Sequence, residues 1–298
     1  MKKIGILLGT LLVLGLLWYL FLYPADYLVR MQAKTFPGTI AQTLKLWDST
    51  LPNANITEKE GILNFTQELN FGDSIHQYKW EIIPVHDSLS KIHVYAKDRN
   101  NSLVNKLMVP FSETGFEKRT EQTLTDFLSS LNEHIASFRI NIIGETEFPG
   151  KYCACTKLST TQFGKADGMM KDYPLLSTVL VKNGLELDGP PIIEITQWDR
   201  ENDRIVYNFC FPIMQQVSLP FIEEIRYLEL PPKKALMAEY NGNYITSDRA
   251  WYALLDYAEK NKLGVTGLPL EVFYNNPTLG GDALRWKAEI YMPLTDAP

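Results

Sequence analysis

The first hydrophobic pattern in the chain is an uncharged run from Ile4 to Tyr23, which Lys2 and Lys3 precede. At about 1.5 Å per residue, a helix of this length crosses a hydrocarbon core of ~30 Å. Aromatic residues near its end, such as Trp18, are typical of a membrane interface. The run predicts a transmembrane signal-anchor over residues 1–25, although a cleaved signal peptide is the alternative.

Charge at the N-terminus sets the expected orientation. Because Lys and Arg are retained in the cytoplasm, we expect a cytoplasmic N-terminus. The sequence then predicts a bacterial single-pass membrane protein whose folded domains lie on the periplasmic or extracytoplasmic side.

Residues 26–140 show a second pattern. Asp26–Lys34 is typical of a strand, and after Pro37 one face of a short helix carries apolar residues. Apolar positions then alternate with polar ones, as in an antiparallel meander. The best helical spacing in the chain follows, at Leu124, Phe127, Leu128, Leu131 and Ile135.

The remaining residues, 141–298, contain a repeat. Asn183–Pro191 corresponds to Asn261–Pro269 at a constant shift of 78 (261 minus 183). Each of these blocks follows an amphipathic helix and precedes a predicted hairpin. Strands are predicted before both helices, at Tyr152–Leu158 and Ala235–Tyr240, so each copy is β-α-β-β.

Neither copy buries a sheet face alone. We therefore predict that repeat one, about 147–213, and repeat two, about 228–294, pack as a pseudo-twofold pair with a groove between them. The fold class is accordingly α+β, with the anchor and the meander domain preceding the duplicated domain.

Composition narrows the classes of function. The 298 residues are 45% hydrophobic and 12% aromatic, which suffices for two cores. A net charge of -6 and a pI near 5.4 argue against a nucleic-acid partner. The histidines are dispersed, and the sequence indicates neither a metal site nor a cofactor.

The three cysteines give no disulfide framework. Cys153 and Cys155 lie two apart in a predicted strand and cannot readily bond to each other, and Cys210 makes the count odd. All three are interpreted as small buried hydrophobic residues.

The final predicted strand has two different faces. Trp286, Ala288, Ile290 and Met292 fall on the face expected against the helices, and Glu289 lies at the middle of the other face. When Pro212 is aligned with Pro293, Asn208 takes the place of Glu289 in the first copy.

The second copy resembles the GyrI-like family, the effector-binding domain also found on AraC-type and MerR-type transcription activators. The resemblance rests on Gly242 with Tyr244, Trp251 with Leu254, Pro269, Tyr274-Asn275-Asn276-Pro277, and Glu289-Ile290-Tyr291-Met292-Pro293-Leu294. It implies a cleft lined by aromatic residues, with the Glu of the last strand at its floor.

Carried over to this chain, the resemblance makes Glu289 the prime ligand-binding residue. The other candidates are Tyr291, Tyr244, Tyr240, Trp251, Phe273 and Asn208. Each has a structural alternative: Glu289 pairs with Arg285 or Lys287, Trp251 packs its helix on the sheet, and Tyr244 closes a turn.

Residues 26–138 resemble the SRPBCC superfamily, the START-like and polyketide cyclase-like helix-grip fold, in the order of their elements. That resemblance implies an apolar cavity between sheet and last helix. A plain packed core is the alternative.

The leading functional prediction is a membrane-anchored protein that binds or senses an amphipathic or cationic small molecule. The first alternative is a hydrolase of reactive small molecules that uses the cleft Glu and a Tyr, with Glu289 and Tyr244 or Tyr291 in those roles. The second is an interaction scaffold. No residue is assigned a catalytic role, the sequence favours a non-enzyme, and it identifies no protein partner.

Overall fold

The computed structural model describes residues 2–86, 89–216 and 218–295. The chain divides into two compact units, Met1–Glu133 and His134–Pro298. Both units combine helices with an antiparallel sheet, which confirms the predicted α+β class.

The N-terminal unit contains a five-stranded sheet and helices. Its elements are α1 (Lys2–Leu17), β1 (Tyr27–Ala33), α2 (Pro37–Thr50), β2 (Ala54–Glu60), β3 (Asn64–Asn70), β4 (Ile75–His86), β5 (Leu89–Asp98), α3 (Ser102–Met108) and α4 (Gly115–Ala136). The strands are ordered β1-β5-β4-β3-β2.

Helix α4 provides one wall of the core of this unit. Leu124, Phe127 and Leu131 recur at helical spacing and are almost fully buried. The ring of Phe127 lies 4.8 Å from that of Trp80 on β4 and 5.4 Å from that of Trp47 on α2. These aromatic side chains fill the space between the sheet and α4.

The N-terminal helix differs from the prediction of a transmembrane segment. Helix α1 covers 16 residues, and a π-helix, Trp18–Leu22, follows it. Crossing a membrane takes about 20 residues of apolar helix. In the described part of the chain, no helix is both long enough and apolar enough to span a bilayer.

The C-terminal unit is built on an eight-stranded sheet. Its elements are β6 (Phe138–Phe148), β7 (Lys151–Thr160), α5 (Lys165–Lys182), β8 (Ile192–Asp199), β9 (Arg204–Pro212), β10 (Arg226–Leu230), β11 (Lys233–Gly242), α6 (Arg249–Lys260), β12 (Leu270–Phe273) and β13 (Lys287–Pro293). The strands are ordered β10-β7-β9-β8-β12-β13-β11-β6.

Two sets of elements repeat within this order. The set β7-α5-β8-β9 and the set β11-α6-β12-β13 each contribute three adjacent strands, and β8 pairs with β12 between them. Ile193 on β8 lies directly opposite Glu271 on β12. These two residues correspond at the shift of 78, so the pseudo-twofold axis passes between them.

The sheet of this unit has one face against helices α5 and α6. Ile193, Phe209 and Ile290 belong to this core, together with Leu176 from α5 and Trp251 from α6. Neighbouring residues along a strand point to opposite faces. A second, smaller cluster therefore occupies the other face and includes Ile192, Cys210 and Tyr291.

The interpretation of the cysteines as three separate hydrophobic residues is wrong. Cys155 on β7 and Cys210 on β9 form a disulfide, with Cα atoms 4.1 Å apart. The antiparallel register places these two residues directly opposite each other. Cys153 is the remaining, buried thiol.

Candidate functional site

A cavity of about 500 Å³ opens between the two copies in the C-terminal unit. Its size is within the range of about 300–1,000 Å³ that is typical of small-molecule sites. The first copy contributes residues of α5 and Phe209 of β9, and the second contributes the turn before α6 and the end of β12. Its main apolar lining residues are Met169, Met170, Tyr173, Phe209, Phe273 and Trp286.

Tyr244 and Phe273 are the two sequence-predicted residues that line this cavity. Phe273 ends β12 on the face turned toward the helices, and its ring centroid lies 4.7 Å from that of Tyr244. The Tyr244 ring also approaches Trp286, at 5.9 Å. The three side chains form a contiguous aromatic wall.

The hydroxyl of Tyr244 fixes a loop at the cavity wall. It donates a hydrogen bond to the Lys287 carbonyl oxygen at 2.7 Å and accepts one from the Asn275 amide at 3.1 Å. Burial raises the pKa of Tyr244 to about 12, so the hydroxyl keeps its proton at neutral pH. Tyr244 therefore offers a ligand mainly its ring.

The cavity carries little charge. Among the lining residues that the structure describes, Asp167 is the single one with a formal charge, and it is exposed. The amides of Asn243, Asn275 and Asn276 supply most of the remaining polarity. The lining therefore suits an apolar, aromatic molecule with a few hydrogen-bonding groups.

A fully buried ion pair adjoins the cavity. The Lys165 ammonium donates to both carboxylate oxygens of Glu271, at 2.7 and 2.6 Å, and to the Ser247 hydroxyl at 2.7 Å. Both side chains of the pair have no exposed surface. Burial raises the pKa of Glu271, and the ammonium of Lys165 opposes that rise.

Two other predicted ligand-binding residues, Trp251 and Tyr240, lie outside the lining of this cavity. Trp251 is fully buried, and its Nε1 donates to Glu271 at 2.5 Å. Tyr240 is also fully buried, and its hydroxyl donates to the Asn243 carbonyl oxygen at 2.9 Å. Both side chains are therefore enclosed by the protein's own core.

Glu289 lies on the sheet face turned away from the helices, next to two tyrosines. The hydroxyls of Tyr274 and Tyr291 donate to its Oε2 at 2.7 and 2.8 Å, and the Lys287 ammonium lies 3.1 Å from its Oε1. Of the alternatives open at the sequence level, the structure shows the pairing with Lys287.

The groups around Glu289 keep its carboxylate deprotonated. Burial raises the pKa of Glu289, but the two tyrosine hydroxyls and Lys287 outweigh it and hold the pKa below its ordinary value. Burial and the carboxylate raise the pKa of both tyrosines. Glu289 is thus a paired carboxylate, and neither it nor Tyr291 lines the cavity.

Asn208 also belongs to the face opposite the helices. Its Nδ2 donates to Glu194 at 2.9 Å, within the same hairpin. It lies outside the cavity lining.

The sequence reasoning missed Lys165, Glu271, Tyr274 and Trp286. A signal for Glu271 was present, because period two places this carboxylate on the same strand face as Phe273. Its partner Lys165 lies 106 residues away, and no local pattern relates the two. Within the described residues, no group of three or more His, Cys, Asp or Glu side chains is arranged to hold a metal ion.

Most of the C-terminal unit matches a known protein family. Residues 161–295 match the GyrI-like small molecule binding domain. This segment is a GyrI-like domain. The family predicted from the motifs is therefore confirmed, and the cavity and the buried ion pair both lie within the matched residues of the GyrI-like domain.

Several solved structures are similar to the chain. The crystal structure of the EcmrR C-terminal domain shares 17% identity at a TM-score of 0.45, covering 54% of this chain and 99% of that one. The structure of SAV2435 bound to tetraphenylphosphonium shares 10% identity at a TM-score of 0.36, covering 53% and 93%. A hydrolase from Listeria innocua shares 10% at 0.35, covering 51% and 92%.

The comparisons say less about the residues before the GyrI-like domain. No curated protein matches the chain. Neither the family match nor the similar structures support the predicted SRPBCC resemblance of residues 26–138.

Proposed function

We propose that the GyrI-like domain binds an amphipathic small molecule with an aromatic body in the cavity between its two copies, as a receptor or sensor. The observation that carries the proposal is the aromatic wall of Tyr244, Phe273 and Trp286 in a cavity of about 500 Å³. Stacking and apolar contact with such a wall favour flat or globular aromatic ligands.

Both copies contribute to this site. Met169 and Met170 on α5 line the same cavity as the aromatic wall, and methionine side chains adapt to ligands of different shape. Because both repeats supply lining residues, a bound ligand contacts both copies. The site is therefore suited to binding and sensing several related molecules.

Calorimetric titration of the full chain tests this proposal. Two probes of nearly the same shape are used, the uncharged triphenylphosphine oxide and the cation methyltriphenylphosphonium. We expect at least one to bind the wild type, and Phe273→Ala to weaken that binding about tenfold or more, which is about 1.4 kcal/mol.

Val272→Ala is the matched control. Val272 is the neighbouring buried residue of β12 and points to the opposite face, so its truncation should change the affinity less than about threefold. Failure of both probes to bind the wild type, or equal losses in both variants, would contradict the proposal.

A hydrolase acting through Glu289 is the second candidate function. It is favoured by the two tyrosine hydroxyls within 2.8 Å of the carboxylate. A general base works best with a pKa near the working pH, whereas the pKa of Glu289 is lowered. Binding without hydrolysis is therefore the preferred function, and Glu289→Gln should leave probe binding unchanged.

The proposal includes a compartment. Disulfides persist in oxidising environments and are rare in a reducing cytosol. The Cys155–Cys210 disulfide therefore supports an extracytoplasmic location for the GyrI-like domain.

A further inference from the structure

We infer that Lys165 acts as an internal counter-ion beside the cavity and so makes the site selective for uncharged ligands over cations. This inference rests on the proposed binding function and adds the charge class of the ligand. It assigns Lys165 as a specificity-determining residue.

The ion pair lies in the layer that supports the cavity. Lys165 directly precedes Ala166, a lining residue of α5, and Glu271 shares a strand face with Phe273. The Ser247 hydroxyl lies 3.1 Å from Glu271 Oε1 and 3.0 Å from the carbonyl oxygen of Tyr244, so these two acceptors share its single proton. The pair is thus tied on both sides to residues that line the cavity.

The pair also connects the two copies. Lys165 belongs to the first copy, and Glu271, Ser247 and Trp251 belong to the second. Lys165 Nζ lies 4.7 Å from the centre of the Trp251 ring, which adds a cation-π contact. The carboxylate and the indole, two groups that recognise cations, are thereby already occupied by the protein's own ammonium group.

The repeat shows that this charge pair is not a by-product of the duplication. At the shift of 78, Lys165 corresponds to Asn243, and Glu271 corresponds to Ile193. Each copy therefore carries one charge where the other copy has a neutral residue. The two charges meet once, next to the pseudo-twofold axis that passes between Glu271 and Ile193.

The consequence for a ligand follows from desolvation. A cation that enters an apolar site loses its hydration and needs an anion or several dipoles in exchange. Glu271 has its full complement of donors from Lys165, Ser247 and Trp251. Asp167 is exposed and water screens it, so an uncharged aromatic molecule is favoured.

The two triphenyl probes test this inference directly. Calorimetry on the wild-type chain should give triphenylphosphine oxide about tenfold tighter binding than methyltriphenylphosphonium. In Lys165→Met, Glu271 loses its counter-ion, and the ratio should move about tenfold or more toward the cation. In Lys165→Met/Glu271→Gln, which has no buried charge, the ratio should return to the wild-type value.

Lys151→Met is the matched control. Lys151 forms an ion pair with Asp188 in the same unit at 2.8 Å and does not line the cavity, so its loss should leave the probe ratio unchanged. The ratio of the two affinities in the wild type needs no variant. It therefore tests the selectivity for uncharged ligands even where Lys165→Met does not fold.

The outcomes separate the two proposals. A wild type that binds the phosphonium as tightly as the oxide, or more tightly, overturns the inference and leaves the binding function standing. Binding of neither probe overturns both. A ratio that shifts equally in Lys165→Met and Lys151→Met removes Lys165 as the cause.

Discussion

At the residue scale, His76 is buried in the core of the N-terminal unit, with 1% of its surface exposed. Its ring lies 4.4 Å from that of Phe71 and 4.8 Å from that of Phe116. Burial lowers the pKa of His76 from 6.5 to about 4, with opposing effects from Asp98 and Arg119. The folded protein therefore holds a neutral imidazole.

This lowered pKa predicts acid sensitivity. The unfolded chain takes up a proton at His76 near pH 6.5, whereas the folded chain does so only near pH 4. Stability is therefore fully present above pH 6.5 and falls as the pH drops toward 4, by at most about 1.4 kcal/mol per pH unit. Denaturation of the wild type and His76→Phe at several pH values measures the difference.

The variant should lose less stability than the wild type in this window. Subtracting the two curves removes the contribution of His134, whose pKa burial also lowers to about 4. Parallel curves for the two proteins would show that His76 is not the titrating group.

Single residues were the hardest feature to predict from the sequence. The family resemblance predicts Phe273 and Tyr244 as site residues, and both line the cavity. The resemblance also predicts Glu289 at the floor of a cleft. In the structure Glu289 lies on the other face of β13, outside this cavity, and its role in ligand binding stays a prediction. Period two places Glu271 on the strand face of Phe273, but its ion pair depends on Lys165, which only the tertiary fold brings near.

At the scale of elements, the Cys155–Cys210 disulfide joins β7 and β9 of the first copy. Cross-linking two residues that are 55 apart restricts the unfolded chain and typically stabilises a protein by about 2–4 kcal/mol. In the double variant Cys155→Ala/Cys210→Ala, the free energy of unfolding should therefore be lower by about 2–4 kcal/mol.

Cys153→Ala is the control, since this cysteine is buried in the same cluster without a disulfide. Cys153→Ala should lower the free energy of unfolding by less than the double variant does. A reductant should destabilise the wild type but not the double variant. Three reactive thiols in the denatured, unreduced wild type would contradict this pairing.

Elements with a strong period were predictable. The spacing of Leu124, Phe127 and Leu131 predicts α4, whose buried face they form. The shift of 78 likewise predicts the two β-α-β-β sets. The ends and pairings of strands were less predictable. The last strand is predicted to include Trp286, whereas β13 begins at Lys287, and the cysteine pairing depends on the register of β7 and β9.

At the scale of the whole molecule, each unit has its own buried core. Every side chain assigned to the cavity or the ion pair belongs to the C-terminal unit. We therefore expect a fragment of residues 134–298 to fold alone and to bind triphenylphosphine oxide within about threefold of the full chain. An unfolded fragment, or one that binds more than tenfold more weakly, would show that residues 1–133 are required.

The location of the ligand is the central claim, and methionine methyl resonances report on it directly. Met169 and Met170 line the cavity, whereas Met237 packs in the cluster on the opposite sheet face. In the chain labelled with ¹³C at its methionine methyl groups, triphenylphosphine oxide should shift the Met169 and Met170 signals saturably and leave Met237 in place. A saturable shift at Met237 with Met169 and Met170 unmoved would contradict the assignment of the cavity as the binding site.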